Sequence, residues 1–160
     1  MKDMSILERR RIEAQLLKHV HEVIEARSGT VEADAVVGTA VSRAAIDQGR
    51  ELAETLGRTP DLQDFNAILP LWTREDALRI EMIEASAEKL AFNVLRCRYA
   101  EMYQEMDLGR IGHLLSCNRD GDFCAGYNPK MKLTRTQTIM RGASHCDFRY
   151  RMEPESGSEP

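Results

Sequence analysis

The chain has 160 residues and a mass of 18.2 kDa, the size of one domain that can bury a continuous core without disulfide or metal cross-links. It is 42% hydrophobic and 30% charged, which is typical of a globular protein, and its formal net charge of -4 gives no basic field for gathering nucleic acid. No apolar run approaches the length of a membrane span, and the charged start lacks the apolar region of a signal peptide. We therefore expect a cytoplasmic protein with neither nucleic acid nor a membrane as partner, one domain over residues 1–152, and a mobile tail over residues 153–160.

Two long antiparallel helices are predicted for the first third of the chain. Ser5 and Glu8 are spaced as in a capping box, and apolar residues then recur at helical spacing to about Arg27, namely Ile12, Leu16, Val20, Val23 and Ile24. After Ser28 and Gly29, a second stripe runs to Gly57 and comprises Val37, Val41, Ala44, Ala45, Gln48, Leu52 and Leu56. Arg9, Arg10 and Arg11 lie within helical reach of Glu8 and Glu13, so they are interpreted as a solvated helix face rather than a phosphate-binding patch.

The remainder of the chain changes to the period of β-strands. After a connection over residues 58–70 with one short helical turn, residues 78–82 and 90–94 alternate across a polar turn and predict a β-hairpin. Helical spacing returns at residues 99–106 and 108–115, and a long loop follows at 117–129. Residues 133–138 and 146–152 alternate again and predict a second hairpin. The fold class is therefore α+β: N-terminal helices packed on an antiparallel sheet built from two hairpins, with short helices and a long loop between them.

The predicted loop from Cys117 to Cys124 combines a thiol, an amide, a guanidinium and two carboxylates, a mixture that few structural loops need. A calcium site is excluded because Gly121 is misplaced and Pro129 occupies the position of the bidentate Glu. A zinc site would collect cysteines and a histidine at spacings that match no standard ligand pattern; its members would be Cys117, Cys124, Cys146 and either His145 or His113. No metal and no other cofactor is therefore predicted.

Four motifs in the second half occur in a specific order: residues 96–103 (RCRYAEMY), 115–120 (LSCNRD), 126–129 (GYNP), and 133–150, which begins LTRTQTIM and ends CDFRY. Together they resemble the L-2-amino-thiazoline-4-carboxylic acid hydrolase family over roughly Leu69 to Tyr150. The resemblance implies hydrolysis of L-2-amino-thiazoline-4-carboxylate to N-carbamoyl-L-cysteine, a step in bacterial formation of L-cysteine. A more distant likeness, in the glycine and Cys-x-Phe-Arg ending, is to 4-vinyl reductase-type small-molecule-binding domains, which leaves a non-catalytic sensor or interaction module as the alternative.

Opening a cyclic amidine at its carbon–nitrogen or carbon–sulfur bond requires a nucleophile, a carboxylate that holds the amidinium, and a proton donor for the leaving group. Cys117 is predicted as nucleophile or as a wall of the pocket, and either Asp120 or Asp147 as the carboxylate. Arg135 or Arg119 would hold the substrate carboxylate, although Arg135 is equally well placed for a salt bridge to Asp147. Further substrate contacts are assigned to Asn118, Asn128 and Thr136. The sequence leaves open whether the protein is a monomer or a homo-oligomer.

Overall fold

Two long helices begin the chain in the computed structural model, which describes residues 3–154. Helix α1 spans Ile6–Ser28 and helix α2 spans Thr30–Glu54. The Ser5 hydroxyl accepts a hydrogen bond from the Glu8 amide at 3.1 Å, and the Glu8 carboxylate accepts one from the Ser5 amide, so the predicted capping box is confirmed. Gly29, with a φ of 90°, is the single residue between the helices, which pack against each other.

The apolar stripe that predicted α1 lies on its exposed face. Leu16 is 68% exposed, and Ile12 and Val23 are also exposed. The face turned toward the rest of the molecule instead contains Ala14 and, unexpectedly, the charged Arg10. The interpretation of Arg10 as a solvated residue was therefore wrong, because Arg10 is buried on the helix face that also carries Ala14 and His21.

A four-stranded antiparallel sheet forms the other layer. Its strands are β1 (Leu78–Ala85), β2 (Lys89–Cys97), β3 (Met131–Thr134) and β4 (Cys146–Met152), in the order β1-β2-β4-β3. The short helices are α3 (Leu62–Ile68), α4 (Pro70–Thr73), α5 (Arg98–Glu105) and α6 (Arg119–Tyr127). The predicted α+β class with two hairpins is confirmed, since β1 pairs with β2, β3 pairs with β4, and the two pairs join through β2 and β4.

The predicted long loop and the predicted third strand both differ from the structure. Residues 119–127 form α6, which packs closely on α2, so tertiary contact stabilises a helix where glycine and asparagine favoured a loop. Strand β3 ends at Thr134 rather than at residue 138. The Asp147 carboxylate accepts hydrogen bonds from the amides of Thr136 and Gln137, at 2.9 and 3.0 Å, in place of a continued strand ladder.

The core lies between the two layers and is rich in aromatic residues. One face of β2 and β4 presents Leu90, Phe92, Val94, Phe148 and Tyr150 toward α3 and α6. Phe92 and Phe148 stack with ring centroids 4.9 Å apart. Between residues 3 and 154, no helix is long and apolar enough to cross a membrane. Most of the predicted tail, residues 155–160, lies outside the described part of the chain.

The contact between α2 and α6 depends on two glycines. A Cβ built on Gly126 would lie 1.9 Å from the Ile46 carbonyl oxygen, and one built on Gly49 would lie 2.3 Å from the Phe123 carbonyl oxygen. Both obstacles are backbone atoms of the neighbouring helix. Side chains at these positions would therefore force the helices apart, and α6 with its charged residues would move with them.

We predict that Gly126→Ala lowers the free energy of unfolding by about 2–3 kcal/mol or more, because the new methyl group overlaps the backbone of α2. Gly121→Ala is the matched control in the same helix, since no atom lies within 4 Å of its Cβ position. That control should be neutral or stabilising by up to about 1 kcal/mol. Urea unfolding of the two variants checks this, and equal stability would contradict the close packing of α2 and α6.

Candidate functional site

A partly enclosed cavity with two adjoining lobes lies between the helices and the sheet. The lobes measure about 70 and 50 Å³, which together accommodate a molecule of roughly ten non-hydrogen atoms. Both lobes share a set of lining residues that mixes three apolar side chains with three charged ones: Trp72, Leu78, Phe148, Arg10, Arg119 and Asp120. The cavity is therefore largely apolar with a few convergent charges, as small-molecule sites usually are.

Two buried arginines share one carboxylate at this cavity. Arg10 is 4% exposed and Arg119 is 8% exposed. Arg10 Nη1 donates to both carboxylate oxygens of Glu13 at 3.2 Å, and Arg119 Nη2 donates to Glu13 Oε2 at 2.8 Å. Burial lowers the pKa of the Arg119 guanidinium to about 10, and the nearby Arg10 charge acts in the same direction. The Arg119 guanidinium therefore remains charged at neutral pH.

Asp120 is the carboxylate of the cavity wall, and Arg135 holds it. Arg135 Nη1 donates to Asp120 Oδ2 at 2.7 Å, and Arg135 Nη2 donates to the Cys117 carbonyl oxygen at 3.0 Å. The Arg135 guanidinium also lies over the Phe148 ring, 5.0 Å from its centroid. Burial raises the pKa of Asp120, with the Arg135 charge opposing that shift. Such a carboxylate is suited to exchanging a proton.

Three thiols also line the larger lobe, from Cys97, Cys117 and Cys146. Burial raises the pKa of Cys117 to about 12 and that of Cys97 to about 11. Cys117 ends a π-helical turn, His113–Cys117, immediately before α6, and Arg119 bonds to Glu13 and Leu115 rather than stabilising a thiolate. At neutral pH Cys117 is therefore a protonated thiol and a poor nucleophile.

Four of the residues predicted for the site lie elsewhere than on this cavity. Asp147 binds the turn at Thr136 and Gln137, and these hydrogen bonds lower its pKa although its partial burial works in the opposite direction. Asn128 is buried, and its amide donates to the Pro60 carbonyl at 2.7 Å. Asn118 is exposed at an open groove that shares Cys117 and Arg135 with the cavity. The structure thus brings Cys117, Arg119, Asp120 and Arg135 to the cavity, whereas Asn118, Asn128, Thr136 and Asp147 do not line it.

Sequence reasoning missed Arg10, which lines both lobes. Its position could have been found from a second spacing on α1, because Arg10, Ala14 and His21 recur on one helix face. It also missed the apolar walls at Trp72 and Leu78, which carry no chemical pattern. Within residues 3–154, no three or more His, Cys, Asp or Glu side chains are grouped so that they could hold a metal ion.

Comparison with known structures places the fold. The chain is similar to the phenol-responsive sensory domain of the transcription activator PoxR, solved with phenol, with 13% identity, a TM-score of 0.56, and 94% of this chain and 78% of that one covered. It is also similar to a trafficking protein particle complex subunit 3 from Naegleria fowleri covalently bound to palmitic acid, with 7% identity, a TM-score of 0.53, and coverage of 91% and 96%. At these identities the likeness concerns the fold alone.

Comparison of sequences identifies the family. No curated protein matches the chain. The family model for L-2-amino-thiazoline-4-carboxylic acid hydrolase matches residues 9–150, which include most of α1, all of α2 and the motifs of the second half. That match extends over most of the chain and over every residue of the cavity wall but one, Ile6. The chain therefore belongs to the L-2-amino-thiazoline-4-carboxylic acid hydrolase family.

Proposed function

We propose that this cavity hydrolyses L-2-amino-thiazoline-4-carboxylate to N-carbamoyl-L-cysteine. The observation that carries the proposal is the placement of Asp120 beside buried arginines in one small cavity. The substrate contains a basic amidine and a carboxylate on one five-membered ring. A cavity that offers one carboxylate and an excess of guanidinium groups complements both charges of such a molecule.

Asp120 is suited to receive the amidine end. One of its oxygens, Oδ2, is held by Arg135, while Oδ1 has no hydrogen-bond donor within the described part of the chain. That oxygen is available to an amidine N–H or to a water molecule. The apolar walls formed by Trp72, Leu78 and Phe148 keep bulk water from weakening these interactions.

The reaction adds one water molecule and breaks one ring bond. Asp120 accepts a proton from water as the water oxygen bonds to the amidine carbon, which forms a tetrahedral intermediate. The carbon–sulfur bond then breaks, its electron pair passes to sulfur, and Asp120 returns the proton to the thiolate. The hydroxyl on this carbon releases its remaining proton, which passes to solvent when the amidine enters protonated, and the carbon with its two nitrogens becomes the neutral urea group of N-carbamoyl-L-cysteine.

A second candidate function is ligand binding without reaction. The fold is shared with a sensory domain that was solved with phenol, and much of the cavity wall is apolar. A sensor would bind a small molecule here and leave it unchanged. The charged residues favour the hydrolase, because a neutral aromatic ligand gives no reason to bury Arg10, Arg119 and Asp120 around the same space.

We expect the purified protein to convert L-2-amino-thiazoline-4-carboxylate to N-carbamoyl-L-cysteine, and Asp120→Asn to lower kcat/KM by about 10²–10⁴-fold because the base is lost. Asp122→Asn is the matched control, since Asp122 lies in the same helix turn but outside the cavity. Mass spectrometry of the product measures both. Ligand binding without product, in folded protein, would support the sensor instead.

The activity should depend on Asp120 being ionised. Because burial raises the folded-state pKa of Asp120, kcat/KM should fall as the pH decreases through a value above the ordinary range of aspartate, and it should be constant at higher pH until the substrate or another group titrates. A pH profile of kcat/KM measures this. An acid limb at an ordinary or lower pKa would contradict the assignment of Asp120 as the base.

Cys117→Ser should retain activity within about 10-fold of the original protein, because a thiol with a pKa of about 12 contributes little thiolate at neutral pH. Intact-protein mass spectrometry during turnover should show no covalent adduct. Cys124→Ser is the control for the general loss of a buried thiol. An adduct on Cys117, together with loss of activity in Cys117→Ser alone, would restore the role of nucleophile to Cys117.

A further inference from the structure

We propose that Arg10 and Arg119 form the subsite that binds the substrate carboxylate, and that Arg10 is the main determinant of specificity for an acidic substrate. The inference rests on the proposed function, because it names which end of the cavity receives which end of the ligand. Its basis is the charge balance and the hydrogen bonding of the two arginines, which lie against both lobes of the cavity.

The arginine pair carries one more positive charge than its ion-pair partner balances. Arg10 and Arg119 both bind Glu13, which supplies a single negative charge. The only other side chain that binds them in the described region is Gln48, which is neutral and accepts a hydrogen bond from Arg10 Nη2 at 3.2 Å. Burying an unbalanced cation costs free energy, which an anion bound in the cavity would offset.

The pair also has donors left for a ligand. In the range 3–154, no acceptor bonds to Arg10 Nε or to Arg119 Nη1, although both side chains are more than nine-tenths buried. A guanidinium presents its N–H groups in a planar fork that matches the two oxygens of a carboxylate. A carboxylate in the cavity therefore has both the charge and the donors that it needs.

Arg135 differs in this respect, although the sequence made it a candidate for the same role. Its two terminal nitrogens are already bound to Asp120 and to the Cys117 carbonyl, and its charge is balanced by Asp120. Binding a substrate carboxylate there would require breaking the pair that positions the base. Arg135 is thus a positioning residue. The substrate carboxylate binds instead to Arg10 and Arg119, which have N–H donors available.

The test compares binding of L-2-amino-thiazoline-4-carboxylate with binding of 2-amino-2-thiazoline, the same ring without the carboxylate, by calorimetry. Arg10→Gln should weaken binding of the acid by about 10- to 100-fold and change binding of the analogue by less than about 2-fold, since one charge-assisted contact is lost. Arg9→Gln and Arg11→Gln are matched controls from exposed positions on either side of Arg10, and they should change neither affinity.

Glu13→Gln provides a test with the opposite sign. It removes the carboxylate that now competes for the two guanidiniums, so affinity for the acid should rise several-fold even though the fold loses stability. A purely structural role of the pair predicts no gain. If Arg10→Gln does not fold, as judged by circular dichroism, Arg10→Lys keeps the charge without the fork and should weaken acid binding by an intermediate factor.

The inference is overturned if folded Arg10→Gln, or Arg10→Lys in its place, binds the acid and the analogue with an unchanged ratio of affinities, or if Glu13→Gln does not strengthen acid binding. Binding is measured in the Asp120→Asn background, in which the acid is turned over slowly, and product is measured with Asp120 intact, so the two proposals can fail separately. Acid binding that depends on Arg10, without any product, would contradict the proposed hydrolase activity and support the carboxylate subsite. Turnover by Arg10→Gln with an unchanged preference for the acid would contradict the carboxylate subsite and support the hydrolase activity.

Discussion

The arrangement of the cavity depends on one buried interaction, the sharing of Glu13 by Arg10 and Arg119. This cluster joins α1 to α6, and the hydrogen bond from Arg10 to Gln48 extends it to α2. A buried charge cluster is satisfied in few geometries, so it limits where α6 can lie relative to α1. Asp120 follows Arg119 directly in the chain, so the contact that fixes Arg119 also fixes the position of the carboxylate.

The cavity separates two kinds of charged group that would otherwise neutralise each other. Asp120 is paired with Arg135, whereas Arg10 and Arg119 are paired with Glu13, and each pairing uses residues from different elements. The pairing with Arg135 holds a carboxylate of raised pKa in place. The pairing with Glu13 leaves an excess of one positive charge on the two arginines. A ligand that carries both a cation and an anion can satisfy both at once, whereas a neutral ligand satisfies neither.

The elements were predictable from the sequence wherever local chemistry decides them. The capping box at Ser5 predicts the first helix, and the alternation of residues in β2 and β4 predicts the central strands. The side of α1 that is buried was not predictable from hydrophobicity, because Leu16 and its neighbours form the stronger stripe yet face solvent, while Arg10 is buried. Helix α6 was missed because a contact with α2, distant in sequence, stabilises a segment that local propensity assigns to a loop.

Four residues of the candidate site have side chains whose chemistry could be recognised in the sequence. Cys117, Arg119, Asp120 and Arg135 were recognisable because their residue types are rare in structural loops, and the structure brings them to one cavity.

Residue type could not distinguish Asp120 from Asp147. The two carboxylates differ in their surroundings. Asp147 accepts hydrogen bonds from the backbone of the turn that follows β3. Asp120 has one oxygen, beside apolar walls, to which no donor in the described chain bonds. A carboxylate that closes a turn is stabilised in its ionised form and holds its proton weakly, whereas a carboxylate with a raised pKa can take a proton from water and return it to a leaving thiolate. The same chemical group is therefore structural at one position and suited to catalysis at the other, and only the fold distinguishes them.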